Sequence, residues 1–375
     1  MASAASLPCP QVCRGPAAIL LVRHQLVLHI ETSAGQGNNA MLDEPEIGDM
    51  RGRRRMSRRR RIARRVLLWL VAAFAALTAA SLVFNAVTSG PAPRPAGLKF
   101  VRAGDVLTRY LTWGTTGSPV VLVPGAFETA DTFARLGAQL GTDHRVFALD
   151  LTGTVYSQPK PPFTVSHFAA QVLGFVKAMG LTGKNAPVLV GHSSGAAVVG
   201  RAAIEGGRRI AGVMFLDGDA EPLGAPPFLR YVVIEPYRTT LLRLGLSSDS
   251  VIRAIYDSQC GPRCPALTHA GVEVWRRPLQ QPGAEGALWS MLRTGIPSLT
   301  PAQFALLRAS PAVKSVVFGT DDPQYGKSVP GQVATRIGAP VPTIVPGRHL
   351  TMIASPRQVA AAIRALCRRA AAAQG

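Results

Sequence analysis

Cysteine is scarce in this 375-residue chain: five residues, too few for a disulfide-framework miniprotein. Charge is thin at 17% of residues, against 47% hydrophobic, which excludes a chain that stays disordered for want of apolar surface. Acids are outnumbered 21 to 41 by Lys and Arg, leaving a formal charge of +20. No GxGxxG run, no phosphate loop and no His/Cys/Asp/Glu set at metal-ligand spacing stands out, so neither cofactor nor metal is expected. The length allows one large domain or two ordinary ones, with a sizeable core either way.

What the chain does have is charge in one place. Residues 51–65, RGRRRMSRRRRIARR, hold ten arginines and no acid, whereas the positive excess of 66–375 is dispersed. Residues 66–87, VLLWLVAAFAALTAASLVFNAV, follow directly and carry no charge; their polar residues are Thr78, Ser81 and Asn85. A helix of that length reaches about 33 Å, enough to cross a hydrocarbon core of roughly 30 Å. Only a helix satisfies its own backbone there. Arginines beside such a segment mark the cytoplasmic side. The reading is a signal-anchor with a cytoplasmic N-terminus, a single span at 66–87 and the rest outside. A cleaved secretory signal stays open, with a poor site at Thr78-Ala79-Ala80, and so does a twin-arginine export signal. The arginines then meet anionic lipid headgroups, and no nucleic-acid partner is expected.

Residues 1–65 form a basic tail whose first fifty residues are unlike the rest, with Cys9, Cys13 and a patternless polar run. Met41, Met50 and Met56 offer starts nearer the basic block, in which case 1–50 is not made; a cytoplasmic tail is the other reading. Residues 88–97, TSGPAPRPAG, are a linker. A folded domain is expected over 98–375.

Within it, short apolar runs at 119–123, 145–149, 187–191, 211–216, 314–318 and 341–345 read as buried parallel strands. Amphipathic patterns at 129–139, 164–180, 194–205 and 355–369 read as the helices between them. Residues 100–104 and 107–113 read as an antiparallel hairpin in front. The expected class is α/β, a mostly parallel sheet with helices on both faces. Some ninety residues separate 211–216 from 314–318, far more than a loop needs. This insert, at about 220–310, shows helical stretches at 226–234, 238–245, 248–257, 284–294 and 301–308. It reads as a helical cap over one end of the sheet.

The chemistry gathers at strand ends. Gly191-His192-Ser193-Ser194-Gly195 is a G-x-S-x-G run placed after a strand and before a helix. The glycines permit a tight turn that pushes the Ser193 hydroxyl out. The helix start supplies free N–H groups, with that of Ser194 poised for an oxyanion. A serine needs a base. His349, just past the last strand, fits best; His192 sits inside the elbow pointing away from Ser193, His144 lies at the wrong end of the sheet, His167 in a helix and His269 in the cap. The base needs an acid to fix its tautomer. Asp321 and Asp322 both follow the strand 314–318; Asp322 is preferred and Asp321 reads as a turn or capping residue. A second oxyanion donor is expected from the loop after the first parallel strand, VPGAF: the N–H of Ala126, beside Gly125.

In this order, Ser193, Asp322, His349, the chain resembles the α/β-hydrolase superfamily, in its capped serine-hydrolase branch of esterases and lipases. The resemblance runs from about 98 to 369 through VLVPGAF, FALDLTGTVYSQ, VLVGHSSGA, VMFLDG, the insert, VVFGTDDP and VPGRHL. It implies Ser193 as nucleophile, Asp322 as acid, His349 as base, and Ala126 with Ser194 as the oxyanion hole. It also implies a common structural loop at Asp150-Leu151-Thr152-Gly153. Where the family often has His-Gly, this chain has Pro124-Gly125, which leaves the oxyanion geometry open. A serine rather than an aspartate nucleophile sets it apart from the epoxide-hydrolase and dehalogenase relatives.

Cys260 and Cys264 flank a Gly-Pro turn in the insert. A disulfide there suits an oxidising exterior; free thiols and a metal pair are the alternatives. The apolar, aromatic insert points to a small-to-medium hydrophobic ester as substrate, cleaved through an acyl-enzyme. Other uses of the same residues stay open, as a perhydrolase, a C–C hydrolase or a peptidase, and so does an idle hydrolase fold acting as a binding protein. The oligomeric state is left open.

Overall fold

The five-residue runs PVVLV, VLVGH and GVMFL are buried along their whole length, as strands covered on both faces must be. In the computed structural model, which describes residues 48–126, 128–153, 156–222 and 234–374, they form the centre of an eight-stranded sheet. The strands are β1 (Lys99–Ala103), β2 (Val106–Trp113), β3 (Pro119–Val123), β4 (Arg145–Leu149), β5 (Val188–His192), β6 (Gly212–Leu216), β7 (Val313–Gly319) and β8 (Thr343–Val345), in the order β1-β2-β4-β3-β5-β6-β7-β8. β1 pairs with β2 and β2 with β4 antiparallel; every other pairing is parallel. The chain is therefore of the α/β class expected.

Strand side chains alternate between two cores. Val121, Val123, Leu189, Val213 and Phe215 point to one, packed under helices α3 (Val165–Ala178) and α4 (Gly195–Gly206). Val120, Leu122, Val190, Met214 and Leu216 point to the other, under α2 (Ala134–Leu140) and the long terminal helix Pro356–Gln374. The expected helix at 129–139 is split: a short 3-10 turn, Ala130–Phe133, precedes α2. Thr129 starts that turn with a reciprocal side-chain cap, so the chain enters it at a fixed angle.

The insert is helical. Its helices are α5 (Tyr237–Ser247), α6 (Asp249–Cys260), α7 (His269–Arg276), α8 (Ala284–Thr294) and α9 (Pro301–Ala309). The expected helix at 226–234 lies, but for its last residue, outside the described residues. α7 was not foreseen: its eight residues start after Pro265 and a Thr268 side chain that caps Gly271 N. Cys260 and Cys264 are joined by a disulfide. After β7 come α10 (Val329–Ile337), the short α11 (Thr351–Ala354) and α12 (Pro356–Gln374).

Ahead of the sheet, α1 (Gly48–Val87) is one continuous helix. Its segment Ser57–Val87 contains a window of mean hydropathy 2.4 and is long and apolar enough to cross a membrane. The chain divides into two units after Leu67, within α1.

Candidate active site

The elbow between β5 and α4 brings the glycines of G-x-S-x-G into backbone contact. A Cβ on Gly191 would stand 2.2 Å from the Gly195 carbonyl oxygen, and one on Gly195 would stand 2.7 Å from the carbonyls of Val123 and Pro124. Neither distance is tolerable, so both positions require glycine. Between them Ser193 sits at φ 50°, the left-handed region that side chains rarely adopt. That turn is held by its N–H, which donates to the Leu216 carbonyl at 2.9 Å.

His349 follows β8 and Asp322 follows β7. The two are buried and meet: His349 Nδ1 lies 2.8 Å from Asp322 Oδ2. The other carboxylate oxygen, Oδ1, accepts from the Gln324 N–H at 2.9 Å. With Nδ1–H given to the carboxylate, the imidazole keeps its lone pair on Nε2. Ser193 and His349 line the same cavity, of about 510 Å³. Asp321 is exposed at the neighbouring turn, where its N–H donates to the Gly347 carbonyl at 3.0 Å.

Ala126 and Ser194 also line the cavity. Their relation is specific: the Ala126 N–H donates to Ser194 Oγ at 2.9 Å. Gly125 lies so close to the elbow that a Cβ there would come within 2.9 Å of Ser193 Cβ. Glycine at 125 therefore permits the approach despite the proline before it. The Gly125 N–H is fixed by Glu128 Oε2 at 3.1 Å.

Glu128 belongs to a network that the sequence reading missed. It is buried and pairs with His192 Nδ1 at 2.8 Å, while His192 Nε2 lies 2.8 Å from the His349 carbonyl oxygen. Both ring nitrogens of His192 thus face acceptors, which requires both to carry protons. Burial disfavours that charge, but the Glu128 carboxylate outweighs it and His192 is pushed up to about 9. Glu128 in turn is held below its usual range despite its burial, chiefly by the His192 charge. The signal for His192 was its place inside the elbow; for Glu128 there was only proximity to the oxyanion loop.

Asp217, at the end of β6 with φ 49°, completes the frame. It accepts from the Gly319 N–H at 2.8 Å and from the Thr351 hydroxyl. Those contacts tie the loops that carry Asp322 and His349 to one carboxylate. Burial pushes Asp217 up to about 7. Farther along the strand ends, Asp150 accepts from the Ala130 N–H at 2.7 Å and faces the buried Arg109, which pairs with Asp131. Thr152 braces the same loop through the Gln158 and Lys160 carbonyls.

The cap closes over this end of the sheet. Arg348 donates to the carbonyls of Asp257 and Ser258, and the Leu350 N–H donates to Gln259 O at 3.2 Å, so the end of α6 lies against the His349 turn. The cavity walls from the cap are mostly apolar, with Leu242, Leu246, Ile252, Ile255, Leu279 and Leu288, and Gln259 and Glu221 add polar groups.

Residues 120–362 match the model of the alpha/beta hydrolase family, more than half of the chain. The chain belongs to the α/β-hydrolase family. Over 156 residues this α/β hydrolase is 28% identical to N-formylmaleamate deformylase of Pseudomonas putida. That stretch is 40% of this chain and 56% of the relative, so the chain spans about half the length of the curated relative it matches. Among solved structures, a thermophilic esterase from Thermogutta terrifontis superposes with a TM-score of 0.57 at 24% identity, over 73% of this chain and 99% of that one. A bacterial membrane phospholipase A superposes with a TM-score of 0.57 at 19% identity, over 83% and 99%. At such identities these structures show a shared fold.

Proposed function

We propose that this α/β hydrolase is a membrane-anchored serine hydrolase that cleaves carboxylic esters outside the cytoplasm. The observation that carries the reading is the cavity itself. It holds a serine on a turn with positive φ and a histidine whose Nδ1 is committed to a buried aspartate.

Ser193 Oγ attacks the ester carbonyl carbon and its proton passes to His349 Nε2. Asp322 stabilises the imidazolium and keeps the ring oriented. The carbonyl oxygen gathers negative charge and is met by the Ser194 N–H at the start of α4, with Ala126 N–H joining once the Ser194 hydroxyl turns aside. Collapse expels the alkoxide, which takes the proton from His349. Water then gives a proton to His349 and attacks the acyl group; collapse releases the acid and returns the proton to Ser193.

The largely apolar cap walls favour an ester of a hydrophobic acid. The arginine block at 51–65, in the first half of α1, favours a cytoplasmic N-terminus, and the Cys260–Cys264 disulfide suits an oxidising exterior. A second reading has one specific observation behind it: the deformylase relative cleaves an amide by its name, so the same residues would then act on a formyl amide. Steady-state rates on p-nitrophenyl esters of rising chain length, against N-formyl amides, separate the two. Ester turnover that grows with acyl length and vanishes in Ser193→Ala supports the first reading; turnover of amides alone supports the second.

A further inference from the structure

Thr78, Ser81 and Asn85 are the polar residues of the apolar run 66–87. Spaced three and four apart, they share one face of α1. All three meet α5 or the residue before it. Thr78 Oγ1 lies 2.6 Å from Tyr237 Oη and Ser81 Oγ lies 2.5 Å from Thr240 Oγ1. Asn85 Nδ2 donates to the Pro236 carbonyl at 2.9 Å, and Asn85 Oδ1 accepts from the Thr240 hydroxyl at 2.9 Å. Phe74, one turn before Thr78, packs on Tyr237 with ring centres 6.0 Å apart. At the other end Arg243 donates to the Asn85 carbonyl at 2.5 Å while Glu285 of α8 grips the same guanidinium. Elsewhere the run 66–87 is exposed and apolar, as at Leu77, Leu82 and Val83. Polar side chains in hydrocarbon are costly unless paired. Here each has its pair on the cap.

α5 therefore has two occupied faces. Tyr237, Thr240 and Arg243 hold α1, whereas Leu242 and Leu246 line the cavity of Ser193. Leu241, 66% exposed, stands between them, and Leu244, 49% exposed, continues the stripe that meets α1. Each lies one turn beyond a residue that bonds α1, so they border that contact. Ile234, just ahead of the helix, is exposed as well. Thr78 stands nine residues before Val87, about 14 Å along the helix axis. With α1 crossing a bilayer, α5 accompanies it into the outer leaflet. The charges at that end of α5 are matched: Glu235 pairs with Arg238 at 2.6 Å, and Arg238 lies over the Trp289 ring at 5.4 Å.

We propose that Ile234, Leu241 and Leu244 form a lipid-contact surface continuous with α1, and that the cavity draws its ester from the bilayer as the acyl chain of a membrane-resident ester. This rests on the reading of α1 as a span and of Ser193 as a nucleophile. It makes the anchor a part of the cap, holding the helix that forms the cavity wall.

The test uses the full chain in vesicles of phosphatidylcholine and phosphatidylglycerol, with brominated lipids as tryptophan quenchers. In the wild type the part of the signal that is lost in Trp69→Phe comes from inside α1 and reports the span. Leu241→Trp adds a reporter on the proposed surface, and Leu306→Trp, on exposed α9, adds one away from it. Quenching of the wild type, of the added Leu241→Trp signal and not of the added Leu306→Trp signal supports the proposal. A quenched wild type with an unquenched Leu241→Trp signal overturns it and leaves the span standing. An unquenched wild type removes the span and the proposal together. The double variant Leu241→Asp/Leu244→Asp should lose about tenfold or more on vesicle-borne p-nitrophenyl palmitate and stay within about twofold on p-nitrophenyl acetate in water. Equal losses on both esters, or no loss on either, overturn it. Absence of acetate turnover in the wild type sinks the nucleophile reading without touching the quenching result.

Discussion

Two histidine–carboxylate pairs lie side by side in this α/β hydrolase, with ring centres 4.9 Å apart and the same 2.8 Å contact to their acids. They differ at the other nitrogen. His349 lines the cavity that also holds Ser193, whereas His192 turns its Nε2 to the His349 carbonyl. On the proposed function the first accepts a proton, whereas the second keeps one. A short contact to a carboxylate thus says little about a histidine's task until the second nitrogen is traced.

The largest effect should come from the open pair. His349→Ala should lower kcat by about 10⁴-fold or more, because the proton transfer is lost. Asp322→Asn should lose about 10³- to 10⁴-fold in kcat through the wrong tautomer, and Asp321→Asn should stay within about threefold. Rates under saturating ester check both; a heavier loss at Asp321 than at Asp322 would reverse their assignment.

The closed pair should answer in stability. His192→Ala leaves Glu128 buried and uncompensated, which costs about 3 to 5 kcal/mol in denaturant unfolding. Its effect on kcat of the folded protein should be far smaller than that of His349→Ala, coming through the shifted His349 carbonyl and the Gly125 turn. Equal activity losses with unchanged stability would erase the distinction between the pairs.

The smallest effect is a pH slope. His192 is raised in the fold to about 9, so its stabilising contribution is complete below the ordinary histidine value and is lost as pH rises through 9. Asp217, raised to about 7, adds to the same trend from its ordinary carboxyl value upward. Glu128, lowered, works the other way and loses its contribution only on acidification. Unfolding free energy should therefore fall between pH 6.5 and 9, and His192→Gln should flatten that fall. A slope that the variant leaves intact would place the titration elsewhere.

Much of this arrangement was legible before any coordinates. Short Val-rich runs bounded by Gly, Pro or Asp read as buried strands, and G-x-S-x-G between a strand and a helix defines the elbow by backbone crowding that glycine alone tolerates. The strand ends that place Asp322 and His349 follow from the same periodicity. What stayed hidden depends on contacts distant in sequence. Glu128 meets His192 across 64 residues, Asp217 meets Thr351 across 134, and α1 meets α5 across about 155. No local pattern announces such partners. The engagement of Ala126 N–H by the Ser194 hydroxyl was equally out of reach, because it depends on a single side-chain rotamer.

On the proposed function Ser193, turned out at the elbow and served by His349, is the reacting nucleophile. Treating the full chain with a fluorophosphonate and mapping the adduct by peptide mass spectrometry reads that role out. One adduct is expected, on Ser193, formed quickly in the wild type, slowly in His349→Ala and not at all in Ser193→Ala. An adduct on Ser194 or elsewhere, or a folded wild type that takes no label, would contradict it.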